Sequence, residues 1–286
     1  LISLVVSSYR KEDFTKFSSS VEETIGVPFE IIKIENRNQF NLSKAYNQGA
    51  RQAQFDCLVF VHEDVTFESE GWGRSLISLF GDNPDVGIVG VAGAIKKSYL
   101  PTGWGTGTSL FDRIHMNQGS QNGTEFQSTQ KENAVFEKVK VLDGVFLATQ
   151  KDIWEEFPFD ESLDGFHLYD IDFSLRITQK YTGIISYEIL LTHYSTGNYD
   201  SDWVQKTLNY HSRVDKRDLF DRDESYFSKS RRAWYKALTF PKIHLIQRKK
   251  FLDQMGMDLL SSVHAFCFRF PWIGRIVFKS LAVLGL

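Results

Sequence analysis

Cysteine is almost missing from this sequence, with Cys57 and Cys267 the only two in 286 residues. That excludes a disulfide framework, and Cys57, inside an apolar run, reads as a reduced, buried thiol. Long apolar stretches are missing as well. No segment reaches the ~20 residues that a membrane-spanning helix needs, and Pro271 interrupts the longest candidate. The opening LISLVVSSYR is too short for a secretory core and lacks a basic leader and a cleavage site; without an initiator Met, trimming of a leader stays open. No charge sign is in excess either. The net charge is −3 with a pI near 6.2, which argues against a protein that coats nucleic acid. The sequence shows no internal repeat and no low-complexity tract. The sequons at Asn41 and Asn122 carry little weight in a reducing compartment.

What is present is material for a large core. With 42% hydrophobic and 14% aromatic residues, the chain can bury one core, or one core with an appended helical piece. Charge is spread unevenly. Residues 225–286 hold eleven Lys and Arg against Asp253 and Asp258, so this tail carries +9 and the rest −12. Its basic residues interleave with Trp234, Tyr235 and Phe240. Two readings fit. One is a surface for an anionic membrane, each nearby Lys or Arg contributing about 1 kcal/mol; the other is a helical pair packed on the preceding domain or on a second subunit of a homo-oligomer. The expected division is an α/β domain over 1–200 and a helical, basic and aromatic extension over 201–286.

Strand and helix alternate along the first part. Residues 2–7, 29–34 and 57–61 are short β-branched runs with helical patterns before the last two, and Asn41 and Ser43 lie where a cap belongs for the helix over 45–53. The spacing predicts parallel strands joined by crossover helices, with ligands bound at the strands' carboxyl ends. Another apolar run covers 86–94. The Gly-punctuated stretch that follows predicts a long loop, either a functional lid or a disordered segment. GWGTGTS within it lacks the Lys and spacing of a Walker loop, and Trp104 offers a face to a sugar. A strand broken by Gly144 over 139–149, helices over 152–157 and 168–181, and a strand over 184–192 follow. Beyond Trp203 the pattern is helical.

Two acidic segments carry the chemistry. LVFVHEDV, residues 58–65, ends a strand apolar enough for a sheet centre on three polar residues. Glu63 and Asp64 adjoin, and two carboxylates at one sheet edge repel unless a cation or a donor array offsets them. A divalent metal is the simplest partner; the alternative is a strand leaving into solvent through its acids. FDESLDGFHLYDIDFSLR, residues 159–176, sets Asp170 and Asp172 in the first turn of a helix after a Gly-containing loop. Acids there also complement the helix dipole.

With these motifs in this order, the sequence resembles the family 2 glycosyltransferases of the GT-A fold, of bacterial surface-polysaccharide type. The resemblance covers roughly residues 1–197. It implies an α/β fold with a mostly parallel, Rossmann-like central sheet and flanking helices, followed here by a C-terminal helical extension. The family's third strand ends in Asp-x-Asp, matched by His62, Glu63 and Asp64, so Asp64 is expected to hold Mn²⁺ or Mg²⁺ against the donor's diphosphate, with Glu63 facing the nucleotide. His62 can ligate Mn²⁺ but suits Mg²⁺ poorly. Ser7 and Tyr9 match the strand-end segment that meets the nucleotide, Tyr9 against the base or as an ordinary turn aromatic. Glu35 and Asn36 fall where members often bind base or ribose, although ENRNQ replaces the usual Asp-rich turn. Asp143 and Gly144 resemble the strand lining the acceptor side; a turn cap is the alternative for Asp143. His193 stands where many members place a metal-binding His, with a structural histidine as its alternative. In inverting members the Asp opening the second segment deprotonates the acceptor. By position that is Asp170, with Asp172 as the other candidate base.

The resemblance implies a metal-assisted, inverting transfer of a sugar from a UDP-, GDP- or dTDP-sugar to a hydroxyl of a glycan or lipid-linked acceptor. The enzyme is expected to be cytoplasmic, peripheral on the inner face of the membrane, with no nucleic-acid partner. A carboxylate in hydrogen-bond reach can take the hydroxyl's proton as the bond to the anomeric carbon forms. Two other readings share the strand-end acids. A sugar-phosphate nucleotidyltransferase is one, but the Gly-rich loop it needs near the start is missing, since Ser8, Tyr9, Arg10 and Lys11 include no Gly. A non-catalytic nucleotide-sugar-binding protein is the other, suggested by His62 in place of Asp.

Overall fold

The computed structural model describes residues 1–37, 39–97, 101–105, 109–120, 123–195 and 200–213. The chain divides into two compact units, Leu1–Lys97 with Thr108–Gly197, and Ser98–Gly107 with Asn198–Leu286. In the first unit the order is β1 (Ile2–Ser8), α1 (Lys11–Thr24), β2 (Phe29–Glu35), α2 (Leu42–Gln52), β3 (Cys57–His62), β4 (Val65–Phe67), α3 (Trp72–Asp82), β5 (Val86–Gly90) and β6 (Ala92–Ala94). Then come β7 (Asp112–Ser120), β8 (Gly123–Ser128), β9 (Phe136–Val139), β10 (Val141–Leu142), β11 (Phe146–Gln150), α4 (Lys151–Glu156), α5 (Tyr169–Ile177), β12 (Thr182–Ser186) and β13 (Leu191–His193). The second unit contains α6 (Ser201–Arg213), opened by Asp200, whose carboxylate accepts from the N–H groups of Asp202 and Trp203.

Two sheets form among the described residues. The larger has the strand order β2-β1-β3-β11-β5-β12-β9. β1 runs parallel to β2 and β3, and β5 parallel to β12, as the alternating pattern predicts. β11 runs antiparallel between β3 and β5, and β9 antiparallel to β12. Ile2, Leu4, Val5 and Val6 of β1 and Leu58, Val59, Phe60 and Val61 of β3 are fully buried, as in strands covered on both faces, and the equally buried Ser3 is satisfied by Glu30 and the Phe55 N–H. The smaller sheet has the order β10-β6-β7-β13-β4, with β8 added on β7.

Three expectations change. The apolar runs over 86–94 and 184–192 each divide into two strands in different sheets, β5 with β6 and β12 with β13. No Gly-Pro or Asn-Gly turn separates the members of either pair, so the crossing leaves no trace in the pattern. The long loop expected after Ala94 contains the β7–β8 hairpin, whose register runs from His115↔Ser128 to Ser120↔Gly123. Its composition is polar because β8 is largely exposed. Of the GWGTGTS segment, 106–108 lie outside the described residues, as does the tail beyond Arg213 with Cys267. No helix among the described residues is long and apolar enough to cross a membrane. Cys57 is a free thiol, half-buried at the start of β3 and pushed up to about 12 by its apolar surroundings, which keeps it unreactive at neutral pH.

Helix α2 lies close on β1 because Gly49 has no side chain; a Cβ there would meet Val5 Cγ1 at 2.2 Å. Asn41 caps the helix through the Lys44 N–H. Two turns on, Asn47, 2% exposed, accepts from Trp154 Nε1 and the Phe159 N–H and donates to the Phe159 carbonyl and Glu161. Beneath them Tyr46, Phe60, Phe159 and Phe173 form one aromatic cluster, Phe159 stacked on Phe173 at 3.9 Å. Asn47 thereby fixes the segment leading to α5. Replacing it with Ala orphans a buried indole N–H and a backbone amide, so Asn47→Ala is expected to lower the unfolding free energy by about 3 kcal/mol, read from the urea midpoint.

Candidate active site

β3 ends at His62, and the chain passes through the turn at Glu63 and Asp64 into β4, which belongs to the other sheet. β13 pairs antiparallel with β4 in the register Leu191↔Phe67, Thr192↔Thr66 and His193↔Val65, and the Tyr194 N–H donates to the Asp64 carbonyl. A histidine 129 positions downstream is thereby set beside Asp64. His193 Nε2 lies 3.6 Å from Asp64 Oδ1, His62 Nδ1 lies 4.0 Å from the same oxygen, and potential ligand atoms of the three residues are within 4.8 Å of one another. β7 props this edge from the other side: Asn117 Nδ2 donates to Thr192 Oγ1 and Gln118 Nε2 to the His193 carbonyl.

The three side chains suit a divalent cation. His193 Nε2 is buried without a hydrogen-bond partner within the protein and faces Asp64 Oδ1 at 3.6 Å, beyond hydrogen-bond distance. Burial, followed by the neighbouring His193, lowers the His62 pKa, so its ring is neutral at pH 7, as a ligand must be. Burial acts to raise the Asp64 pKa, yet His193 and His62 bring it below the usual carboxylate range. Two imidazoles and one carboxylate form a set that favours Mn²⁺ over the all-oxygen preference of Mg²⁺.

The acceptor-side residues meet the same edge. β11 pairs with β3 from Phe146↔Val61, and the His62 N–H reaches the Val145 carbonyl, so the turn at Asp143 and Gly144 sits beside His62. Asp143 Oδ1 accepts from the Val145 N–H at 2.8 Å, the turn cap foreseen as its alternative. Leu168, at φ 69, holds the left-handed conformation that a β-carbon disfavours, and the chain then turns into α5. That turn delivers Tyr169 and Asp170 against Gly144, whose N–H donates to Asp170 Oδ2 at 3.0 Å and whose carbonyl accepts from Tyr169 Oη at 3.1 Å. Burial, with the charge of Asp143, pushes the Asp170 carboxyl up to about 7. Asp172 differs: it is 7% exposed and bonded to Arg176 Nε at 2.7 Å, an i,i+4 pair that holds its charge in place.

Four residues expected to face the nucleotide are occupied within the chain. Glu63, 7% exposed, accepts from the N–H groups of Tyr9 and Arg10 at 3.2–3.3 Å. Standing just past β3, it anchors the turn that enters α1, where Arg10 makes no side-chain cap bond. Asn36, 1% exposed, accepts from the Gln39 and Phe40 N–H groups and donates to Ser7 Oγ and the Phe40 carbonyl. It closes the turn after β2, and Ser7 Oγ is its acceptor. Glu35 is exposed and paired with Lys33 at 2.6 Å. Tyr9, 56% exposed with the Arg10 guanidinium over its ring, remains accessible. Tyr169 is the contact that sequence reasoning passed over; the glycine at 144, which a bulky neighbour requires, was its available signal.

The profile of the glycosyltransferase-like family matches residues 2–219. No curated protein matches the chain in sequence at a significant level. Among solved structures, GalNAc-T7 crystallised with UDP, GalNAc and Mn²⁺ superposes with a TM-score of 0.52 at 11% identity, over 93% of this chain and 57% of that one. TarS residues 1–349 of S. aureus superposes at 0.51 and 12% identity, over 91% of this chain and 80% of that one. The TarS complex with UDP-GlcNAc gives 0.50 and 11%, over 91% and 81%. The chain thus spans little more than half the length of the GalNAc-T7 chain it matches. At such identities the likeness is one of fold, the α/β GT-A fold. With three-quarters of its length inside the family profile, this chain belongs to the glycosyltransferase-like family.

Proposed function

We propose that this protein transfers a sugar from a nucleotide diphosphate donor to an acceptor hydroxyl, with inversion, at the edge where β3 and β13 meet. The convergence of His62, Asp64 and His193 within 4.8 Å at a strand's carboxyl end carries the reading. These three would hold a divalent cation, Mn²⁺ first, and the chemistry it supplies when bound is positive charge for the departing diphosphate. Asp170 takes the acceptor hydroxyl's proton, and its carboxyl near 7 is matched to that task at neutral pH. We read Asp172, whose carboxylate pairs with Arg176, as a structural partner of α5, which favours Asp170 as the base. Tyr9 offers its face to the base, and Glu63 holds the turn that presents it.

The UDP and UDP-GlcNAc complexes of the structural neighbours put uridine donors first in a screen. Incubation with Mn²⁺ and a UDP-, GDP- and dTDP-sugar panel is expected to give slow donor hydrolysis, faster with a glycan or lipid-linked acceptor. Binding without turnover in every acceptor mixture would favour the non-catalytic alternative. Glu63→Ala frees the Tyr9–Arg10 turn, and its expected signature is a donor KM raised about tenfold with kcat nearly unchanged, the loss of roughly one charge-assisted hydrogen bond. A peripheral membrane role and a homo-oligomer stay part of the proposal for the basic tail. Both are tested by flotation with anionic vesicles and by the mass in solution.

A further inference from the structure

We infer that Tyr169 is a positioning residue which, through the Gly144 peptide, fixes the tautomer of His62 and keeps its unprotonated nitrogen turned toward Asp64. The inference rests on the reading of His62, Asp64 and His193 as cation ligands. Tyr169 is 4% exposed, and its hydroxyl has one proton to give. The Gly144 carbonyl, 3.1 Å away, can only accept, and the inference gives it that proton. The 2.8 Å contact between the same hydroxyl and His62 Nε2 is then a hydrogen bond only if Nε2 carries the proton of the neutral ring. Nδ1 is left with its lone pair, on the side where Asp64 Oδ1 lies 4.0 Å away. Without the hydroxyl, that carboxylate draws the proton to Nδ1 and blocks it. Ligand histidines are oriented in this way when the second ring nitrogen donates to a fixed acceptor.

The arrangement has little slack. A Cβ at residue 144 would meet Tyr169 Oη at 1.9 Å and Asp170 Cβ at 3.1 Å, so a glycine is required for the hydroxyl to reach the carbonyl. The same peptide's N–H holds Asp170 Oδ2 at 3.0 Å. One peptide unit therefore orients a ligand histidine through its carbonyl and the proposed base through its N–H.

Tyr169→Phe keeps the ring that packs edge-on against Tyr46 and removes the hydroxyl alone. In the metal-free 286-residue protein, nitrogen-15 NMR is expected to find His62 protonated at Nε2. In the variant, protonation at Nδ1 grows and Mn²⁺ affinity, measured by calorimetry, falls about 10–100-fold. Gly144→Ala approaches from the other side and is expected to weaken Mn²⁺ binding by displacing the hydroxyl; it carries the test if Tyr169→Phe does not fold. Unchanged Mn²⁺ affinity in whichever variant folds, or His62 protonated at Nδ1 in the wild type, overturns the inference and leaves the cation site standing. Failure of the wild type itself to bind Mn²⁺ overturns the reading of the site, and the inference with it.

Discussion

Asp170→Asn is expected to lower kcat by about 10²–10⁴-fold while donor affinity changes little, the signature of a lost general base. The substitution keeps the shape that accepts from the Gly144 N–H and removes only the capacity to take a proton. Because burial and Asp143 set the carboxyl at about 7, wild-type kcat/KM is expected to rise roughly tenfold per pH unit below that value and to level off above it. Stability moves the opposite way. A carboxyl raised from ~3.9 in the unfolded chain to about 7 in the native one binds a proton that the unfolded state lacks between those values. The native state therefore loses stability as pH climbs from about 4 through 7, and the loss is complete above. Asp170→Asn removes the ionisation, so its melting temperature is expected to match the wild type near pH 4 and to exceed it at pH 8. Asp172→Asn is the contrasting variant: it breaks the Arg176 pair and lowers stability at neutral pH while the pH profile of catalysis stays that of the wild type.

Asp64→Ala carries the second large effect. Of the three converging side chains it is the one anion, and its removal leaves two imidazoles whose rings stand 5.5 Å apart. Cation-dependent donor binding is expected to weaken at least about 100-fold, or ~2.7 kcal/mol, to the level the wild type shows in EDTA. Titration of a UDP-sugar into both proteins, with and without Mn²⁺, checks this. A variant whose affinity still rises with Mn²⁺ would place the cation elsewhere.

Much of this edge was legible from residues alone, for a physical reason. β3 is covered on both faces, so Leu58 to Val61 appear as an unbroken apolar run, and polar residues at the end of such a run stand out as costly. Asp64 was singled out that way, and Asp170 by its place at the start of a helix in a segment that resembles the family's. His193 was suggested only by resemblance, because its proximity to Asp64 depends on the β4–β13 register across 129 residues, which local pattern does not encode. Glu63 and Asn36 have residue types that suit a nucleotide, yet both are occupied by backbone groups of adjacent turns. Composition cannot distinguish a carboxylate or amide that holds the chain from one that holds a ligand. Tyr169 escaped for the same reason. Its chemistry lies in a contact with Gly144 across 25 positions, of which the sequence carries no more than the glycine itself.

The most direct test of the central claim is a crystal grown with UDP and Mn²⁺, recorded at a wavelength where manganese scatters anomalously. The account predicts one peak within bonding distance of Asp64 Oδ1, His193 Nε2 and His62 Nδ1, with the diphosphate on its open side. A peak away from these three side chains, or a nucleotide bound at another edge of the sheet, contradicts it.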